Sequence, residues 1–282
     1  MKNILVPTDF SECAGYATDF AVALVAKSGG NVFLYSNIPV HPLWDNLSEK
    51  QKMEYPESFA GMYDLMNHFQ EFIDAYNEPN VTFHCRYSAG SIHQAVENLA
   101  KEEDIDLILV GSHGSSGLRE VLYGSNAQKI VRNVPFPTLV VKAPVGLPTF
   151  KKVVFASDFK PGAEVAFRQM LDFLSGMDAT VSLLNIRLYP EYAESTQEVK
   201  EQMARFEMMA KDMQTHSHIS YEQDLEEGIK HYLEDFGADL LVMQREEHSR
   251  LFRIILGSSL ESLINHTEIP VLVLNDFNHK DS

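Results

Sequence analysis

The sequence predicts an α/β protein written twice, each half a parallel, doubly wound sheet with helices on both faces. Three observations carry this. First, the chain repeats: Ile4 to Phe10 recurs as Val153 to Phe159, 149 positions later. Asp106 to Val110, Gly124-Ser125 and Pro137 to Val141 recur as Asp239 to Met243, Gly257-Ser258 and Pro270 to Leu274, each 133 positions later. Second, these repeated runs are short and almost wholly apolar, as expected of strands covered on both faces. Third, segments of helical periodicity separate them, and alternation of strand and helix implies parallel pairing through right-handed crossovers.

The two offsets differ by 16, so the first half holds 16 extra residues between its first strand and Asp106. Their expected place is His41 to Tyr63, after the second strand. Ala143 to Thr149 contains two prolines and a glycine and reads as a linker. The boundary is set near 147, giving domains 1–146 and 147–282.

In the first half Ile4 to Val6 is a buried strand. Ser11 is placed to cap the next helix, with Glu12 near its positive end. Ala14, Ala17, Ala21, Leu24 and Val25 follow at helical spacing, and Gly29-Gly30 stops the run. Val32 to Tyr35 is a second strand. Met62, Leu65, Met66, Phe69 and Phe72 mark a long helix packed on the sheet. Val81, Phe83, Cys85 and Tyr87 alternate with polar residues, as in a more exposed strand. Ser91 to Glu103 reads as helix, Asp106 to Val110 as strand, Ser125 to Asn133 as helix and Thr138 to Val141 as the last strand. Five strands to a half place a ligand beyond the carboxyl ends of the strands, where their order reverses.

Composition removes several classes. With 40 acidic against 23 basic side chains and a formal charge of -17, the chain lacks the basic stripe a nucleic-acid binder needs. One nucleotide is a smaller demand, met by a few backbone N–H groups. Cys13 and Cys85 form neither a metal spacing nor a disulfide framework, which suits a reducing compartment. The opening Met1 to Asp9 has too short an apolar run for a signal peptide, and no stretch approaches a membrane helix. A soluble, cytoplasmic protein is expected.

The informative segment is Gly111-Ser112-His113-Gly114, nine residues from Ser115 to Tyr123, then Gly124-Ser125-Asn126. It follows a buried strand and opens a helix. Gly111 and Gly114 permit a sharp turn and close backbone approach to a ligand. Gly124 and Ser125 offer unpaired N–H groups and a hydroxyl at a helix N-terminus, which favours anions. One Gly-x2-Gly alone is more often a plain turn; the full spacing in this context is far more specific.

This Gly-x2-Gly-x9-Gly-Ser pattern resembles the nucleotide loop of ATP-binding universal stress proteins. The opening Ile-Leu-Val-Pro-Thr-Asp-Phe-Ser and the ending Pro-Thr-Leu-Val-Val resemble that family too. The likeness covers essentially the whole chain, twice, as in tandem members. It implies Rossmann-like sheets of strand order 3-2-1-4-5, with the halves paired through their last strands as a pseudo-dimer. It also implies a stress-response regulator that binds ATP, with magnesium carried on the phosphates through mostly water ligands. By the same resemblance Pro7, Thr8 and Asp9 sit beside adenine and ribose, and Val110 offers backbone groups to the base. Asn37 stands where the family often has a valine against the base. Gly111, His113, Gly114, Gly124, Ser125 and Asn126 surround ribose and phosphates. Arg119 meets the terminal phosphate or is a solvated loop cation, and Asp9 either accepts from the nucleotide or caps the following helix.

The second half departs from this pattern. Gln244 and Glu247 replace Gly111 and Gly114, and Ala156-Ser157 replaces Pro7-Thr8. Side chains and a like charge fill the phosphate space, so no ATP is expected there. There is no Gly-x4-Gly-Lys-Ser/Thr and no Gly-x-Gly-x-x-Gly. His216, His218 and the scattered His93, His113, His231 and His248 give no good metal set. Met203, Met208, Met209 and Met213 read as one helix face packed on the sheet. Three classes stay open: a nucleotide-binding regulator with a protein partner, as a monomer or homodimer; a slow ATPase, for which only Asp9 or His113 stand near the phosphates; and an interaction scaffold whose second half takes a non-nucleotide ligand.

Overall fold

The structure is a computed structural model and describes residues 1–38, 44–88, 90–112, 125–142, 149–188, 196–245, 267 and 269–275. The first half runs β1 (Asn3–Pro7), α1 (Glu12–Val25), β2 (Gly30–Asn37), a 3-10 turn (Trp44–Asn46), α2 (Glu49–Lys52) and α3 (Pro56–Asp74). It continues through β3 (Val81–Ser88), α4 (Ile92–Glu102), β4 (Leu107–Gly111), α5 (Ser125–Asn133) and β5 (Thr138–Val141). The second half runs β6 (Lys152–Ala156), α6 (Ala163–Phe173), β7 (Thr180–Leu188), α7 (Thr196–Met209) and β8 (Gln214–Glu222). It closes with α8 (Leu225–Phe236), β9 (Leu240–Arg245) and β10 (Val271–Asn275). The predicted linker, apart from Thr149, lies outside the described residues.

The strands form one sheet of ten, ordered β3-β2-β1-β4-β5-β10-β9-β6-β7-β8. Each half has the expected 3-2-1-4-5 order. Every pairing is parallel except β5 with β10, which run antiparallel with Leu139 opposite Leu272. The halves are thus joined through their last strands, and a pseudo-twofold axis pierces the sheet at that seam. The strands nearest the seam have apolar side chains on both faces because helices cover both. The outer strands β3 and β8 have no fully buried residue, being edges.

Ser11 caps α1, its hydroxyl accepting from the Ala14 N–H at 3.4 Å. Ala17 and Ala21 are fully buried where α1 lies on the sheet. One face of the sheet carries a core that crosses the seam: Phe150 packs with its ring 5.9 Å from Phe20 of α1 and 5.9 Å from Phe173 of α6. In the second half Phe155, Phe159, Phe167 and Phe206 meet in edge-on and stacked contacts. The opposite face buries Val96, Ile130 and Val131 in the first half and Ile229 in the second.

Three expectations change. The fourth helix starts at Ile92 and ends at Glu102, one residue short at each end. Met66 is 44% exposed and lies off the buried face of α3, which is formed by Leu65 and Phe69. Met208 is 69% exposed, because the inward face of α7 is set by Met203 and Phe206, three residues apart. The methionine run therefore does not share one face.

Candidate functional site

The end of β1 is shaped by a paired turn. The Thr8 N–H donates to the Tyr35 carbonyl at 2.7 Å, extending the pairing with β2. Thr8 Oγ1 accepts from the Phe10 N–H at 2.9 Å, and Asp9 Oδ1 accepts from the Ser11 N–H at 3.0 Å. These side chains hold Phe10 at φ 61°, a left-handed conformation that a phenylalanine rarely adopts. Its ring is clamped on α3 between His68, Phe69 and Phe72. The same device recurs in the second half, where Ser157 Oγ accepts from Phe159, Asp158 Oδ1 accepts from Lys160 and Phe159 sits at φ 56°. Asp9 therefore does not cap α1; it braces the turn before the cap.

Beyond this turn lies a cavity of about 270 Å³. Of the residues expected at the site, Pro7, Thr8, Asp9, Asn37, Val110, Gly111 and Asn126 line it. The wall also includes Ser11, Cys13, Ser36, Ile92 and Ile130, none of which was expected at the site. Ile92 and Ile130 are placed there as inward residues of amphipathic helices, a signal that alone marks only core. Ser125 is the first residue of α5. His113, Gly114, Arg119 and Gly124 lie outside the described residues, as do Glu247, Gly257 and Ser258 of the second half. No described residue of the Trp44 insert lines the cavity; Trp44 itself is buried, with the Lys52 ammonium 5.7 Å from its ring centre.

Asn37 is exposed at the end of β2 and donates from Nδ2 to the Gly90 carbonyl at 3.1 Å, tying β2 to the turn before α4. Gly111 has a structural reason to be glycine: a Cβ there would sit 2.0 Å from the Cys13 carbonyl oxygen. The close approach is to the start of α1, which brings that helix's N-terminal turn against the cavity. The Cys13 thiol is held protonated above its usual range by burial, with Glu12 and Asp9 adding to the effect. Among the described wall residues Asp9 is the one charged side chain. The described wall is thus polar, nearly neutral and without an activated nucleophile.

The second half differs at the same place. Gln244, buried, occupies the position of Gly111. In compensation α6 starts at Ala163, the counterpart of Ala14, whereas α1 starts at Glu12. Pro161-Gly162 opens the helix, with Gly162 at φ 103°. The later start of α6 accompanies the side chain at Gln244.

Doubly wound α/β proteins bind their ligands beyond the carboxyl ends of the strands, and this cavity lies beyond the ends of the first and fourth strands. Comparison with known sequences is more specific. The pattern of the Universal stress protein family matches residues 1–142 and again 149–275, so the chain belongs to the universal stress protein family as a tandem member. It is similar to Universal stress protein Slr1230 of Synechocystis, 27% identical, over 96% of this chain and 99% of the relative. About half of the chain is similar to Universal stress protein MJ0577 of Methanocaldococcus jannaschii, 27% identical over 50% of this chain and 94% of the relative. A crystal structure of a universal stress protein from Archaeoglobus fulgidus superposes with a TM-score of 0.67 at 17% identity, over 97% of this chain and 96% of that one. That likeness establishes the shared fold.

Proposed function

We propose that this protein is an ATP-binding stress-response regulator, with 1–146 as the nucleotide-binding domain and 147–282 as a degenerate copy. The reading rests on one observation above all: the Gly111 end of β4, the turn at Thr8-Asp9 and the start of α5 converge on a single cavity. Gly111 opens the Gly-x2-Gly-x9-Gly-Ser pattern and Asn126 follows its end, and both line the cavity, which supports a nucleotide there. Val110, Ile92 and Ile130 line the cavity and offer an apolar wall to the base, and Asp9 and Asn126 offer polar groups to the ribose. The motif assigns the phosphates to Gly114, Gly124 and Ser125, and the N-terminus of α5, which begins at Ser125, suits anions. With Asp9 the one carboxylate in the described wall, magnesium arrives as the nucleotide's own ion and no residue is assigned to it. Occupancy of the cavity then controls association with a protein partner.

The test is calorimetric titration with ATP and magnesium, beside a Gly114→Glu variant that copies Glu247. One site per chain, lost in the variant, is the expected result. Absence of binding to unmutated protein freed of carried-over nucleotide overturns the reading.

A further inference from the structure

The second half keeps its own cavity, of about 300 Å³, at the repeat position of the first. The halves differ more at the outer edges of the sheet. Among the described residues, β3 and β8 each pair on one side only. β3 forms eight consecutive pairs with β2, so no bulge interrupts it, and it contains no proline or lysine. Bulges, prolines and lysines are the usual devices that keep an edge from pairing with another chain. The carbonyls of Asn80 and Ser88 turn to β2, where they accept from the N–H groups of Gly30 and Ile38. Alternate residues of a strand turn opposite ways, so Phe83, Cys85 and Tyr87 hold their N–H and C=O groups toward the open side.

An apolar shelf overhangs this edge. α3 turns His68, Phe69 and Phe72 to Phe10, at the end of β1. At 3.6 residues per turn, Tyr63 and Met66 lie about 140–160° round the helix from His68, on the flank turned from β1 toward β3. They are 69% and 44% exposed. Phe83, Cys85 and Tyr87 present a partly buried apolar row on the same face of the sheet. The second half has no such shelf. There the flank of α7 over β8 is polar and already engaged: Thr196 shares a hydrogen bond with Tyr221, and Glu207 accepts one from Ser217.

We propose that β3 is a self-association edge: it pairs antiparallel with β3 of a second copy of this chain, joining two ten-stranded sheets about a twofold axis at Cys85. Three observations choose a second copy. First, pairing about Cys85 sets Phe83 opposite Tyr87 of the other copy at both ends, a favourable cross-strand aromatic pair, and brings each shelf of Tyr63 and Met66 over the other copy's strand. On the opposite face Thr82 meets Ser88 and His84 meets Arg86, whose charge is held by Glu103 at 2.6 Å. Second, the chain carries a formal charge of -17, yet Val81 to Ser88 contains no Asp or Glu. Two copies that repel over much of their surface therefore meet along a strand that brings no carboxylate. Third, of the two open edges β3 alone has an exposed apolar flank to cover, so its match is another β3 and not β8. A β3-to-β8 contact is also heterologous; repeated from chain to chain it does not close, and it runs on into fibres.

The inference does not rest on ATP binding in the first half. Sedimentation equilibrium of the full chain is expected to show a two-chain species that dissociates on dilution. Tyr63→Glu combined with Met66→Glu, both on an exposed helix flank, is expected to raise its dissociation constant about tenfold or more, with circular dichroism and the melting temperature as in wild type. ATP titration of the same variant is expected to match wild type, so loss of pairing and loss of nucleotide binding are read separately. A short bis-maleimide is expected to link two wild-type copies through Cys85, and to link none in Cys85→Ser, because Cys13 is buried. That link is read with α3 unaltered, so it decides the matter even if the double variant loses its fold. A single chain at every concentration overturns the proposal and leaves this edge to a strand of another protein. A two-chain species unchanged by a folded double variant, or not linked through Cys85, overturns it too. So does growth beyond two chains, the mark of β3 pairing with β8.

Discussion

Arg245, at the end of β9, donates from Nη1 to the carbonyl of Val134 at 2.9 Å, so the second half grips the tail of α5 in the first. The reverse grip exists as well. Lys142, just past β5 and 5% exposed, donates to the carbonyl of Thr267, which the repeat equates with Val134. The same carbonyl in each half is met by a cation from the other half, although the cations come from different strands. A cation at a helix C-terminus is favoured by the helix dipole and by the unpaired carbonyls there.

Replacing Arg245 with methionine is expected to lower stability by about 1.5–3 kcal/mol, the usual range for a hydrogen bond involving a charged group. Urea denaturation of the full chain checks this. A midpoint unchanged from wild type would show that the grip contributes nothing.

Thr8→Val keeps the shape of the side chain and removes the acceptor for the Phe10 N–H, leaving the left-handed turn at Phe10 unsupported. The expected loss is about 1 kcal/mol, with weaker nucleotide binding, because the turn carries Asp9. Thermal melting and titration with ATP read the two effects separately. Stability equal to wild type would mean the ring contacts of Phe10 with α3 suffice.

Gly111→Ala places a methyl against the Cys13 backbone, which cannot rotate away as a side chain would. The expected cost is about 1–3 kcal/mol of overpacking, and the start of α1 must shift. Amide chemical shifts of Ser11 to Ala14 report that shift directly. A variant with wild-type stability and unmoved amides would contradict the close approach.

Alkaline pH should destabilise the protein. Burial is the leading cause that raises the pKa of the Cys13 and Cys85 thiols above their ordinary 9.0 and of the Tyr35 and Tyr76 hydroxyls above their ordinary 10.0. For Tyr76 the bond to Asp19 adds to it. These groups stay neutral in the folded chain when the unfolded chain ionises. Their contribution is therefore complete below the unfolded values and is lost as pH rises toward the folded ones. Urea midpoints should be level near about pH 8 and fall by about pH 10. Tyr35→Phe should fall less steeply; an identical slope would remove Tyr35 as a contributor.

Strand positions were readable because burial on both faces leaves runs such as Leu107 to Val110 with no polar residue, and the runs at Ile4, Asp106 and Pro137 each recur at a second place. The tandem plan was readable for the same reason. The cavity was readable in part. Asp9, Asn37 and Gly111 follow from motif and position, whereas Cys13, Ser36 and Ile92 join the wall only because α1, β2 and α4 converge in space, and no local pattern encodes convergence. Gly111 was expected to make room for a ligand; its neighbour is the Cys13 carbonyl, a residue nearly a hundred positions away. Met66 and Met208 misled because methionine is as much at home on a helix's outer face as its inner one.

The antiparallel pairing of β5 with β10 has a consequence for life among related proteins. Each half's last strand spends its hydrogen-bonding edge on the other half of the same chain. A family member built as a single unit and joined to a second unit through that edge is open to subunit exchange, and dilution separates it. Here the partner is tethered, its effective concentration does not depend on expression level, and the edge is closed to homologous chains. Every molecule therefore carries one first-half cavity and one second-half cavity, in a ratio that no mixing with relatives alters.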